Sequence, residues 1–144
     1  MPILSHKIEI KANKAAVAYF RSCAGAARFG YNWALASWNT QYEAGGKPDA
    51  YSLSNEFTKA KKDLEWSSKT PAALFPNAVL NLGVAFRMFF KKTSKHPSFK
   101  SRHTSKPSFN PWYGGRIKID GDRVLIPKFG WVRLHEPLRF SQLY

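Results

Sequence analysis

The chain has 144 residues, of which 44% are hydrophobic and 15% aromatic, and 23 Lys plus Arg stand against 9 Asp plus Glu for a formal charge of +14. A chain of this length suits one domain, or one domain carrying an inserted lobe, and can bury roughly two-thirds of its unfolded surface. The composition excludes a disordered tail, no apolar run nears the ~20 residues of a membrane-spanning helix, and MPILSHKIEIK lacks the apolar block of a secretory signal.

In chain order, the stretch from Ile3 to Ile10 includes the alternation Lys7-Ile8-Glu9-Ile10, which predicts a short half-buried strand. Asn13 then offers a helix cap. Val17, Phe20, Ala24, Ala27, Tyr31, Ala34, Leu35 and Trp38 follow at spacings of three and four, one apolar stripe on a long helix ending near Gly45-Gly46. A second helix is expected after Lys47-Pro48-Asp49, capped by Ser52 and carrying Leu53, Phe57 and Leu64. A third lies between Pro71 and Lys92, with Val79, Leu82, Phe86, Phe89 and Phe90 as its buried face. Because an interior proline breaks a helix, its main body should start at Pro76 or Asn77. Residues 93–115 have no lasting period and read as an extended basic loop. Arg116-Ile117-Lys118-Ile119 and Val124-Leu125-Ile126 flank an Asp120-Gly121 hairpin turn, and Trp131–Leu134 and Leu138–Phe140 read as further strands. Trp131 is expected to fill the core between them. A lone N-terminal strand needs partners, so it is placed in one sheet with the C-terminal strands. The fold class is therefore α+β, with the helices as an insertion.

Charge is distributed unevenly. Residues 1–65 carry nine basic and six acidic side chains, whereas residues 66–119 carry ten basic ones and no acid. Such one-signed crowding repels itself in the compact state, and a phosphate backbone would relieve it and release counterions. A plain solubilising surface is the alternative. Membrane headgroups fit poorly, because Pro97, Pro107 and Pro111 interrupt the stretch and no amphipathic basic helix runs through it.

Nothing in the sequence assembles a catalytic or metal site. The nine acids are scattered, Asp120 and Asp122 fall in a turn, and His6, His96, His103 and His135 lack ligand spacing. His96 and His103 lie in the basic loop, where phosphate contact suits them better. The single cysteine, Cys23, can form neither an internal disulfide nor a Cys-based zinc site and reads as a small buried residue. The chain is expected to be non-enzymatic alone, without cofactors, and cytoplasmic and nucleoid-associated.

An ordered set of segments runs along the chain: His6-Lys7-Ile8, Ala27-Arg28-Phe29-Gly30-Tyr31-Asn32-Trp33-Ala34-Leu35, Ala85–Phe90, Pro97–Arg102, Ser108-Phe109, Ile117–Ile119 and Ile126–Arg133. Together they resemble the N-terminal part of the TnpB (OrfB) family, transposon-encoded RNA-guided nucleases ancestral to type V CRISPR effectors. The resemblance implies a wedge domain, a small antiparallel β-barrel, interrupted by a helical recognition lobe of three to four helices. On this chain the barrel would comprise residues 1–11 and 96–144, the latter including the basic loop, and the lobe residues 12–95. Implied partners are a guide RNA and target double-stranded DNA, beside which a short motif is read. The family's older label for the first helices is a helix-turn-helix transposase domain. Its RuvC-like nuclease fold and Cys-rich zinc element should follow the last strand and are not expected here, which leaves room for a nuclease partner in trans. Two positions depart from the family pattern: Pro76 stands where relatives often have Gln, and Gly83 where they have Asp.

Candidate nucleic-acid-binding residues follow from both lines. Arg87, Lys91 and Lys92 leave the third helix as phosphate contacts or as a solvated helix end. Lys100, Arg102 and Lys106, interleaved with Phe99 and Phe109, have the composition of a strand-tracking groove with stacking rings, and those rings could equally pin the loop to the core. Asn77 suits a base edge or a helix cap. Lys118, Lys128 and Arg133 lie on or beside strands as an RNA-facing surface. By resemblance, Tyr51 lies near the motif duplex, or packs at the helix entry, and Trp112 and Tyr113 contact the motif. Arg28, Tyr31, Asn32 and Trp33 read mainly as packing residues. Two other readings compete: an autonomous helix-turn-helix DNA binder or repressor, and a truncated remnant with apolar surface exposed around Leu138, Phe140 and Leu143.

Overall fold

Thirty residues after Asn13 contain no proline, and in the computed structural model, which describes residues 7–113 and 117–137, they form one unbroken helix, α1 (Lys14–Glu43). The Asn13 Oδ1 accepts from the Ala16 amide at 2.8 Å, the expected cap. Beyond α1, Gly45 takes φ +86°, a conformation that closes the helix end and that L side chains disfavour. The helix α2 (Ala50–Ala60) begins earlier than the sequence suggests. Asp49, not Ser52, caps it, accepting from the Ser52 amide at 3.1 Å and from its hydroxyl at 3.3 Å. Leu64 lies past its end, between the short 3-10 turns Lys61–Asp63 and Glu65–Lys69.

The helix α3 (Leu74–Phe90) also starts early, and Pro76 is its third residue. First-turn N–H groups have no partner inside a helix, so proline forfeits nothing there. Val79, Leu82 and Phe86 are buried as expected, packed with Tyr31, Leu35 and Leu53. Phe90 is not: at the last turn the helix outruns its partners, and the ring is 62% exposed. Trp38 stacks on Phe86 at 4.2 Å with the rings 7° apart. Where α2 meets α3, a Cβ on Gly83 would stand 2.8 Å from the Ala50 Cβ, so glycine permits the close approach.

The strands form one antiparallel sheet in the order β1 (Ile10–Lys11), β4 (Gly130–Leu134), β3 (Arg123–Ile126), β2 (Ile119–Asp120). The first strand pairs with the last, Ile10 opposite Leu134, and all three helices are inserted between β1 and β2. Asp120 pairs with Arg123, so the hairpin turn is Gly121-Asp122, one residue later than expected. Val124, Ile126, Val132 and Leu134 face a core shared with Tyr19, Phe20, Trp112 and Phe129. Alternation then points Trp131 outward, and its ring is 44% exposed, which corrects the expected core placement. Among the described residues the sheet is open, with β1 and β2 at its edges. The strand expected at 138–140, the apolar residues Leu138, Phe140 and Leu143, the start of the first strand, His6 and Arg116 lie outside the described residues.

Candidate nucleic-acid interface

After α3 the described residues up to 113 form no helix or strand, yet side-chain contacts pin them to the helices. At the end of α3 the amides of Lys91, Lys92 and Thr93 bond back to Arg87, Phe89 and Met88, with Lys92 at φ 61°. His96 packs edge-on against Phe86 and Phe89, at 5.2 and 5.0 Å. Asn32 of α1 then grips the backbone of Lys100 from both sides. Its Nδ2 donates to the Lys100 carbonyl and its Oδ1 accepts from the Lys100 amide, each at 2.8 Å. Ser101 organises the next turn: its hydroxyl lies 2.7 Å from the Thr104 hydroxyl, and its carbonyl accepts from the Ser105 amide. Farther on, Asn77 donates to the carbonyls of Asn110 and Trp112, both at 2.9 Å, and the Trp112 indole donates to the Leu125 carbonyl at 3.2 Å.

This pinned loop encloses a basic cleft against α1. One part, ≈ 180 Å³, is lined by Arg28, Tyr31, Asn77, Asn81, Lys100 and Lys106 among others. The adjoining part, ≈ 550 Å³, is lined by Arg21, Ala24, Arg28, Arg102 and Pro107. Arg28 belongs to both, so five cations (Arg21, Arg28, Lys100, Arg102 and Lys106) converge on one surface. Among the described residues no carboxylate lines either part, and none of the five has an acidic partner. The Lys100 ammonium lies 4.2 Å over the Tyr31 ring, whose phenol burial pushes up and so keeps neutral.

The structure divides the sequence candidates among three places. Lys100, Arg102 and Lys106 line the cleft. Asn77 neither caps α3, lying inside its first turn, nor has a free amide hydrogen for a base edge, since both are spent on the loop. Tyr51, 71% exposed, and Arg87 border a separate hollow of ≈ 460 Å³ with Trp38, Gly83 and Phe90, and Lys91 and Lys92 follow at that end of α3. Lys118 precedes β2, Lys128 lies in the β3–β4 turn and Arg133 is on β4. Lys128, at φ 61°, donates its ammonium to the Ser68 carbonyl at 2.7 Å and so ties the β3–β4 turn to the second 3-10 turn. Arg133 stands 3.9 Å from Asp122. Trp112 is a half-buried wall of the sheet core, and Tyr113 is exposed beside it.

Sequence reasoning missed Arg21, Arg28, Arg123 and the outward face of Trp131. Arg21 and Arg28 are seven residues apart, two turns on one helical face, and that spacing was visible in the sequence. The Arg123 guanidinium lies 5.2 Å from the Trp131 ring and pairs with Asp120 at 2.8 Å. Cys23 is fully buried, with its thiol pushed up by burial, and is a core residue as expected. No group of three or more metal-ligating side chains occurs among the described residues, and no described helix is long and apolar enough to cross a membrane.

The site the structure presents is thus a cleft of five cations, fixed on an α+β scaffold by uncharged hydrogen-bonding groups. Comparison with known proteins gives the family. Residues 1–47 match the helix-turn-helix domain of OrfB proteins of the IS605 type. Over 116 residues, 78% of this chain, the sequence is 31% identical to the Escherichia coli (strain K12) protein named "Putative RNA-guided DNA endonuclease InsQ", and spans 29% of that protein's length. The chain corresponds to the N-terminal part of TnpB/OrfB-family proteins. Within the matched helix-turn-helix segment, the described residues hold β1 and the single uninterrupted helix α1, and α2 follows only after it.

Proposed function

We propose that this chain is the nucleic-acid-gripping part of a TnpB-like transposon protein. It holds the phosphates of a guide RNA and of the target DNA paired with it, and reads a short motif beside the target without cutting DNA itself. In this reading residues 1–11 and 96–144 form the wedge-like half, and residues 12–95 are the recognition lobe. The guide supplies sequence specificity by base pairing, and the protein supplies shape recognition and charge neutralisation. The observation that carries the proposal is the convergence of Arg21 and Arg28 of α1 with Lys100, Arg102 and Lys106 of a loop held by asparagine hydrogen bonds, with no acid among them. Tyr51 and Tyr113, with exposed rings, are the motif-reading candidates best placed to reach a duplex. Arg87, Lys91, Lys92, Lys118 and Arg133 extend the phosphate-binding surface.

Purification from the native host followed by sequencing of co-purified RNA tests the reading. One enriched structured transcript ending in a variable guide is expected, and recovery of bulk ribosomal and transfer RNA alone would refute the guide. Each of Lys100→Ala, Arg102→Ala and Lys106→Ala should flatten the log–log salt dependence of binding by about 0.7–0.9 per lost contact. An unchanged slope in the triple variant would remove the cleft from the interface.

A further inference from the structure

The basic cleft continues past Arg21, Ala24 and Pro107 into a groove of opposite character, ≈ 520 Å³ in volume. Its walls are Ile10 from β1, Val17 and Phe20 from α1, Phe109 and Trp112 from the loop, and Ile126 from β3. Among the described residues, the polar side chains on it beyond the Trp112 indole are Arg21 and Ser108. The walls are fixed before anything enters. The indole N–H is committed to the Leu125 carbonyl, the Phe109 ring is set 5.8 Å from Phe20, and Asn77 holds the backbone on both sides of Pro111. A rigid slot costs little ordering entropy to fill. Ile10 and Val17 meanwhile leave apolar surface in water directly beside an arginine cluster.

That juxtaposition selects an occupant. A phosphate alone has no use for an apolar slot, and an apolar polypeptide segment would leave the arginines without counter-charge. A nucleotide carries both parts, an anionic phosphate and a base with apolar faces, and strand-tracking grooves pair cations with rings for that reason. We infer that the groove takes an unpaired nucleobase of the strand whose phosphates lie on Arg21, Arg28 and Arg102. A base inside a duplex offers no free face, so the site favours a single-stranded or extruded nucleotide. This inference rests on the nucleic-acid reading of the cleft.

The test uses the full chain and two probes of equal length and charge, a short single-stranded oligodeoxynucleotide of mixed sequence and its abasic counterpart. By fluorescence anisotropy the base-bearing strand should bind about tenfold more tightly, with the same salt slope as the abasic one. Val17→Trp, and from the opposite wall Ile10→Trp, fill the groove mouth at partly exposed positions without altering charge. Each should bring the base-bearing strand down to the abasic affinity and leave the abasic strand unaffected. Equal affinity of the two strands for the unaltered chain, with the salt slope retained, overturns the base slot, leaves the phosphate cleft standing and gives the groove to an apolar polypeptide. A base preference that survives both variants also overturns it. Absence of salt-dependent binding by either strand overturns the cleft reading itself.

Discussion

Asn32→Ala removes the pair of hydrogen bonds that fastens Lys100 to α1 and changes no charge. Each such bond contributes about 0.5–1.5 kcal/mol net, and the backbone at Lys100 stays within reach of water, so the pair is worth about 1–2 kcal/mol. The loop segment around residue 100 should therefore open roughly 5–30 times more often. Native-state hydrogen exchange at the Lys100 amide reads this directly, because that N–H is bonded to the Asn32 Oδ1. Exchange at Val79 and Leu82, buried in the α1–α3 core, should be unaffected, because both belong to the helix-packing cluster. Asn32→Asp keeps an acceptor for the amide and loses the donor, so its protection should fall between the two. Oligonucleotide affinity should drop by no more than the opening factor, since the charges remain and only their placement is loosened. Unchanged exchange at Lys100 in Asn32→Ala would refute the assignment of Asn32 as the loop's anchor.

Two further predictions concern the helices. Gly83→Ala should destabilise by about 1–3 kcal/mol in a thermal melt, despite the ~1 kcal/mol gained in helix propensity, because the new Cβ would meet that of Ala50. The double variant Gly83→Ala with Ala50→Gly removes the clash and should recover much of the loss, whereas additive losses would point elsewhere. Burial raises the proton affinity of the Tyr19 and Tyr31 phenols and the Cys23 thiol. On unfolding these groups release protons first as pH climbs, so the unfolded state binds fewer protons and stability falls with rising pH. The urea midpoint should hold steady on their account below the thiol's ordinary value of 9 and decline above it. Replacing Cys23 by Ala should shift the onset of decline upward, and an onset that stays put would exclude the thiol.

Legibility from sequence followed how local each determinant is. The start of α1 was readable because Asn13 bonds three residues away, and the stripe through Tyr31, Ala34 and Leu35 because helical periodicity is local. The pairing of β1 with β4 followed from the need of a lone strand for partners. The second cap was misassigned because Asp49 and Ser52 are both capping types three residues apart, and only geometry shows the hydroxyl donating to the carboxylate. Asn77 was unreadable for a different reason: its partners lie 33 and 35 residues onward, in a loop with no period. Trp131 was readable and misread, since Val132 and Leu134 as inward residues already force Trp131 and Arg133 onto the other face.

The fastening of the basic loop explains why its charge remains available. An ion pair would hold Lys100, Arg102 or Lys106 only by neutralising it, and the stretch from 66 to 119 has no acid with which to do so. Two asparagines and one indole N–H take over the structural role, and they bond mainly to the loop's backbone. The fold of the loop is thereby uncoupled from the sign of its side chains. Like charges held close cost free energy until a polyanion enters, and that cost is returned on binding as relieved repulsion and released counterions. Charge-removing substitutions in the cleft should then weaken binding while leaving the fold intact or slightly stabilised. A substitution in the asparagines should do the reverse, loosening the loop with every charge in place. Running Lys106→Ala beside Asn32→Ala separates the two. If Lys106→Ala instead unfolds the loop, shown by rapid exchange at the Lys100 amide, the cation carries structure and the division of labour argued for this cleft fails.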